Sequence, residues 1–544
     1  MTQTLQQRSL GSKGILTDYQ PSDLPLGAWS GGSNVMFKYG RVRRAPVFKL
    51  VSEFQSKDGP VSLLTYRPYT AVQDQLYAAT QSGKIYRIPY GEEEWVDADD
   101  PEAPTSTSTS VRTTTTYLAE VVYINRPDIG VRGLLPTATN FAMLPNKDSD
   151  WTCDVLRGYQ NMLIALSVTK AGVKYPNLVK WSNLALAGQF PSDWDATQEK
   201  NPSTLAGENP LADMTTPIMD GLGLKNDFII YGQNEIFAAT FTGDGTYPLV
   251  FRKLFGDQGA LAANCVCEVE GLHYVFGANS IYRHDGTTIE PLRGVTQHVF
   301  TEKFKGDGDP AFVSYDARNE VVRFCYRTAS STGAYCNKAA VYAYRDGTWS
   351  FVDLPNSAAE SYGSISQAPD WQALPGSTWQ DDIDLSLSWD SDVPAFKPIA
   401  LVASVDPLRS GTSYALAYDQ ISNGDYSGKV VKELNYAPWL VREGITLGSP
   451  EGSIPITQLK QFQRFVPVLD AMDASQSVSF TLGGTYLLGQ QTTWGPQMQF
   501  SPFTQYHLDS RVNGRYLSLR FDAPEVMDFE WSGFDLDFTL SGGI

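Results

Sequence analysis

The residues able to do chemistry are few and scattered. Five cysteines stand at Cys153, Cys265, Cys267, Cys325 and Cys336, and four histidines at His273, His284, His298 and His507. The one close pair, Cys265-Val266-Cys267, would put both thiols on one face of a strand. That is poor geometry for a Cys-x-x-Cys metal site or a disulfide framework. The histidines lack the His-Glu-x-x-His spacing of a zinc protease. We therefore expect free thiols in a reducing cytoplasm, with no metal and no cofactor. There is no Gly-x-x-x-x-Gly-Lys-Ser/Thr phosphate loop and no Gly-x-Ser-x-Gly nucleophile elbow in the sequence. Gly221-Leu-Gly-Leu is the nearest glycine-rich candidate, but it leads into a strand, so no helix N-terminus would face a phosphate. Paired carboxylates can hydrolyse a glycosidic bond. Here the acidic residues fall in turns such as Asp244-Gly245, Asp285-Gly286 and Asp346-Gly347, which are expected to need a positive φ at glycine. No catalytic, cofactor-binding or metal-binding residue is assigned, and the chain reads as a structural protein and not an enzyme.

Charge and composition set the class. The 544 residues carry a formal net charge of −18, with 42% hydrophobic and 12% aromatic residues. A protein that grips DNA through its phosphates is normally basic, so sequence-specific DNA binding is not expected. An acidic balance suits a wall along which DNA slides, and equally suits plain solubility. Basic clustering is limited to Arg41-Val-Arg-Arg44, near Lys38 and Lys49. It reads as a solvated face. The polar N-terminus has no signal-peptide pattern, and no uncharged apolar run reaches the roughly 18 residues a membrane helix needs.

The elements that would position any site are strands. Hairpins are expected at Leu76–Ile88, Phe228–Phe241, Leu272–Asp285, Phe312–Tyr326 and Val341–Phe351, each an aromatic-rich strand pair about a polar turn. Their spacing of about 30 to 50 residues matches the blades of a β-propeller, and a sandwich or several small sheets is the alternative. The expected class is all-β: a β-propeller with inserted loops or a tip domain and additional C-terminal strands. Four regions are expected: an N-terminal arm with first strands (1–60), propeller-like repeats (61–354), an inserted or tip region (355–450) and C-terminal strands (451–544). Residues 91–116, acidic and then rich in Ser and Thr, read as a solvated mobile tip or insertion, and 183–217 as a long irregular connection. Asp346-Gly-Thr-Trp349 resembles part of the Asp-box turn of sialidase propellers, itself a structural turn.

Several ordered blocks are similar to one family. Pro21-Ser-Asp-Leu-Pro-Leu-Gly-Ala-Trp29, Ser33-Asn-Val-Met-Phe37 and Gly40-Arg-Val-Arg-Arg-Ala-Pro46 resemble the opening of the tail nozzle, or hub (DNA stabilisation), proteins of short-tailed bacteriophages. Further similar blocks are Tyr159–Leu166, Tyr175–Ser182 ending near Trp194-Asp195, Ile230–Ile236 running on to Tyr282–Gly286, and Gly514-Arg-Tyr516 with Gly533–Leu536. Residues 355–450 match least.

The resemblance implies a propeller-containing subunit in a homohexameric ring, forming the distal tail tube of a virion. Such a ring retains the double-stranded DNA genome and lets it leave without sequence-specific binding. It implies a tail adaptor and tail fibre proteins as partners, no small-molecule substrate, and assembly in the host cytoplasm. The Trp371 to Trp389 stretch would be a candidate for interface burial or fibre docking. A receptor-binding or glycan-depolymerising tail protein is the alternative. A propeller scaffold unconnected with phage is a further one.

Overall fold

The computed structural model describes every residue except 1, 56–59, 67–74, 89–94, 107, 109–110, 148–149, 198–202, 246, 307, 364–396, 403–411, 420–434, 447–457, 472–475, 488 and 542–544. Much of the expected insertion at 355–450, with Trp371, Trp379 and Trp389, lies outside the described residues. The described chain is almost wholly antiparallel β-sheet, with one α-helix, Thr296–Glu302.

Five four-stranded sheets follow one another along the chain. They span Pro60–Asp97, Thr114–Met143, Trp151–Pro210, Ile218–Phe255 and Val266–Pro291. In each, the strands pair in chain order as a meander. A seven-stranded sheet comes next and divides at its long strand, Thr348–Gly363. Up to Ser357 this strand pairs with Cys336–Ala343, which closes a four-stranded meander begun at Phe312–Asp316. From Ser357 on it pairs with Lys397–Val402 and so opens a second meander. Thr412–Asp419 continues that meander, and Val47–Gln55, from the other end of the chain, completes it.

The reason these segments form sheets lies in their alternation. A strand sends successive side chains to opposite faces, and here both faces are apolar. In Met162–Lys170, Ile164 and Leu166 join a core shared with the fourth sheet, while Leu163, Ala165 and Val168 join one shared with the second. Phe228 and Ile230 face the third sheet, and Ile229 and Tyr231 the fifth. Tyr77, Ala79 and Ile85 of the first sheet meet Val122, Ile124 and Leu134 of the second. Phe276 and Ile281 of the fifth share a core with Phe324 and Ala340 of the sixth. Phe312 and Val341 meet Leu416 and Tyr418 across the divided sheet, and Ala415 meets Leu63 and Ala78 of the first. The last apolar face is thus covered by the sheet that began the series.

Gly14–Ile15 and Ala28–Trp29 pair in parallel as a small two-stranded sheet, and the remaining strands form two further sheets packed face to face. One has seven strands, including Leu459–Ala471, Phe529–Ser541, Arg41–Arg44 and Thr2–Arg8, and the other six, including Val478–Thr485, Tyr516–Asp522 and Trp439–Ile445. The N-terminal arm and the C-terminal strands therefore build one unit, because Thr2–Arg8 and Arg41–Arg44 both pair with Phe529–Ser541. At its centre Trp531, fully buried, stacks on Phe521 at 5.0 Å between ring centroids and touches Trp29 and Phe480 at 5.3 Å. Asn34 joins this unit to the divided sheet. Its side chain bonds Asp353 Oδ2 at 2.7 Å and the Ala437 carbonyl at 3.2 Å, and its Oδ1 accepts from the Asp353 N–H at 2.9 Å.

All five expected hairpins form, in the registers that pair Ala78 with Tyr86, Ile230 with Phe237, Val275 with Tyr282, Tyr315 with Val322 and Tyr342 with Trp349. Residues 91–116 depart from the expected mobile tip. Val96-Asp97 is the fourth strand of the first sheet, Ala98 is fully buried, and Thr114–Leu118 is the first strand of the second. The acidic run is held by arginine: Arg132, fully buried, takes both Asp99 oxygens at 2.7 and 2.8 Å. Truncating Trp531→Ala should cost about 3–5 kcal/mol of stability, read as a fall in the denaturation midpoint at unchanged m-value.

Candidate functional site

The first strands of the successive meanders line a partly open cavity of about 200 Å³. Ser62, Thr113, Arg157, Asp220, Asn264 and Glu360 are among its walls, and Phe312 completes the circuit. Side chains there supply donors to backbone carbonyls of neighbouring segments. Arg112 donates to the Ala263 and Ala311 carbonyls at 2.6 and 2.7 Å and also to that of Asp309.

Arg157 binds three sheets together. It is bidentate to Asp220 at 2.9 to 3.1 Å, and donates to the carbonyl of Thr115 and to Asn264 Oδ1, each at 3.0 Å. Asp220 Oδ2 also accepts the Asn264 N–H at 2.7 Å. A second cluster crosses the divided sheet. Arg323 donates to Asp316 Oδ2 at 3.0 Å and to Glu360 Oε2 at 2.9 Å, with its guanidinium 4.3 Å from the Tyr418 ring centroid. Burial acts to lower the Arg323 pKa, but Glu360, Tyr418 and Asp316 outweigh it and hold the cation above its usual range. Glu360 is further held by Ser314 Oγ and Tyr418 Oη. The charged groups at these walls are thus engaged with one another, and the arrangement acts as a set of joints.

Two of the histidines meet in a second buried cluster that sequence reading missed. Tyr231 Oη lies 2.6 Å from His273 Nδ1 and 2.5 Å from His284 Nε2. The Gly286 N–H donates to His284 Nδ1 at 3.1 Å, so a neutral His284 carries its proton on Nε2 and donates to Tyr231. His273 Nε2 lies 2.8 Å from the Gly223 carbonyl and donates to it, which leaves Nδ1 to accept from Tyr231. Every bond in the chain then runs one way with both rings uncharged. Burial pushes the His273 pKa down to about 3 and that of His284 to about 4. The only signal in the sequence was the spacing that pairs His273 with His284 across a hairpin, which does not reveal Tyr231.

The other singled-out residues are structural. Cys265 and Cys267 both pack into one core while Val266 faces another, and burial pushes the Cys265 thiol up to about 11. All five cysteines are free thiols. His298 lies on the helix, 3.5 Å from Glu302, and His507 lies 3.5 Å from Asp509. Gly286 and Gly347 take positive φ as expected, 90° and 67°, but in the remaining turn the positive φ of 74° falls on Gly243 and not Gly245. The arginine cluster is not a free patch. Arg41 and Arg43 flank Glu530, and Arg44 is buried and donates to the Tyr436 carbonyl. No group of three or more His, Cys, Asp or Glu that could hold a metal occurs among the described residues.

No family model matches the chain, and no curated protein matches it. Among solved structures, the one titled "Structure of U3-55K" aligns with 68% of this chain and 98% of its own length, at 8% identity and a TM-score of 0.39. That likeness is too slight to carry an argument.

Replacing Asp220→Ala should cost about 3–5 kcal/mol by stranding the Arg157 cation, more than removing both partners together in Arg157→Met, Asp220→Leu. Urea denaturation of the three proteins decides it. The histidine cluster predicts an acid limb in stability. Both folded pKa values lie below the roughly 6.5 of an unfolded histidine, so the unfolded chain binds more protons as pH falls. Their contribution is complete above about pH 6.5 and is lost as pH drops toward 4 and then 3, about 3–5 kcal/mol per ring. Denaturation midpoints across that range should flatten in the His273→Gln, His284→Gln double variant.

Proposed function

We propose that the seven meanders are the blades of a β-propeller closed by Val47–Gln55, and that the chain is a structural subunit of a short-tailed phage tail. In this reading it forms the distal tube, or nozzle, that retains the genome and lets it leave. The observation that carries the reading is the ordered set of resembling blocks, together with the parts they play. Asn34, in the first block, joins the two-sheet unit to the divided sheet. Trp181, ending the second, donates to the Leu205 carbonyl and lies against Gly207. Gly232 and Gly259, in the third, approach so closely that a Cβ on Gly259 would lie 2.2 Å from the Gly232 carbonyl oxygen. These are residues a subunit needs to stay rigid.

The axial cavity is not the DNA path. Its volume of about 200 Å³ equals a sphere roughly 7 Å across, narrower than the roughly 12 Å major groove of a duplex alone. The lumen is therefore formed between copies, six by the family analogy. Its walls belong to a chain of charge −18, over which DNA phosphates move without adhesion. A tail adaptor templates the ring and fibres attach outside it. No enzymatic step, cofactor or small-molecule substrate enters this reading.

The test is the mass of the purified chain alone and mixed with a tail adaptor ring, with negative-stain images of both. Rings of about six copies around a channel are the expected result in the mixture. A monomer in both samples overturns the reading, and release of reducing ends from a surface glycan would point to the depolymerase instead.

A further inference from the structure

One surface departs from the charge pattern of the rest. Charged residues make up 19% of the chain, yet residues 474–508 contain no Asp, Glu, Lys or Arg. This stretch supplies an outer edge of the six-stranded sheet. Thr493-Trp494 and Met498–Phe500 pair with Val478–Thr485 on one side, and no strand pairs with their other side among the described residues. Gln491, Trp494, Gln497 and Gln499 are exposed along it, and Phe503 and Tyr506 are exposed beyond its end, at 54% and 71%. Charges on adjoining strands are already engaged. Arg520 is bidentate to Asp522, and Glu443 accepts from Thr492 Oγ1 at 2.8 Å.

An open sheet edge offers unpaired backbone N–H and C=O groups to any strand that comes alongside. Soluble proteins usually guard such an edge with Lys, an inward charge or a cover. Here Pro496 interrupts the edge, but the edge strands themselves carry no charge to guard it. We infer that this neutral edge is where a second copy of the chain docks. The occupant follows from charge. Two copies at −18 repel across most of their surfaces, and like charges brought together at a contact are costly. An uncharged edge lets them meet without that cost. The exposed aromatic rings and glutamine amides are the groups that such contacts bury well. The inference rests on the reading that copies assemble with one another, and on no other feature of the tail.

The test puts charge on the edge without touching the core. Gln491→Glu and Gln497→Glu, made together in the full chain, should weaken self-association about tenfold or more. Sedimentation measures the chain alone, and the adaptor mixture is scored for rings. Val173→Glu, exposed on a distant hairpin, serves as the control and should associate like the parent. Thermal denaturation confirms that both variants fold. Raising salt should strengthen association of the parent by screening its like charges. Rings that form equally well with the double variant overturn the docking edge and leave the tube reading intact. A parent chain that is monomeric in both samples overturns both. Loss of association equally in Val173→Glu also overturns the edge, since charge alone would then be responsible.

Discussion

Each four-stranded meander has two apolar faces, and neither can be left in water. Every face is passed to the next sheet, so the series is stable only if the last face finds the first. That burden falls on Val47–Gln55, which crosses from the N-terminal part of the chain to pair with Thr412–Asp419 along its length. Phe48 packs on Tyr418 at 4.9 Å as part of this seam. The closing loop spans some hundreds of residues, yet the entropy of closing a loop rises only with the logarithm of its length. One added strand therefore protects a full circuit of cores. The same crossing ties the two-sheet unit in, because the strands before Val47 and those after Pro438 share its sheets. Local opening of one meander then exposes two cores at once, which favours all-or-none unfolding.

Closure creates its own problem at the centre. The first strand of each meander is laddered to its own sheet on one side only, and carbonyls on the other side are left for side chains to satisfy. Arginine suits this task because its five donors lie in a fixed planar fork. Arg112, Arg157 and Arg323 each reach more than one sheet or meander, and each carboxylate beside them takes more than one donor. A buried ion pair contributes little net stability compared with apolar packing. What these pairs supply is angular register, since only one arrangement of neighbouring sheets satisfies all the donors. The histidine cluster solves the same problem between the fourth and fifth sheets without a charge.

What was legible in the sequence is what alternation controls. Runs such as Phe228-Ile-Ile-Tyr followed by a polar turn have few other ways to bury their side chains, and all five such hairpins formed. What was not legible depends on partners far along the chain. Asp97, Asp99 and Asp100 look like a solvated run until Arg132 is placed beside Asp99. Arg41 and Arg43 look like a patch until Glu530, nearly five hundred residues on, lies between them. That the N-terminal arm and the C-terminal strands share a sheet was not legible for the same reason. Thr2–Arg8 is polar and mostly exposed, and nothing in its pattern names Phe529–Ser541 as its neighbour. The joints around the cavity were invisible because Arg112, Arg157 and Arg323 stand far apart in the chain, each with partners in other segments.

A centre so fully engaged leaves the outer surface to carry any partner. For an acidic chain that surface is a balance between repulsion and contact. At physiological salt, charges more than about 8 Å apart are largely screened, so the repulsion between copies is decided by residues at the contact itself and not by the total of −18. A few carboxylates at a joint would weigh more than all the rest of the molecule. Their absence from residues 474–508, in a chain that otherwise spaces charges freely, places the neutral stretch on a sheet edge, where backbone pairing adds directional bonds. On the docking inferred above, acidity elsewhere works in the same direction, since carboxylates at any other contact between copies disfavour it.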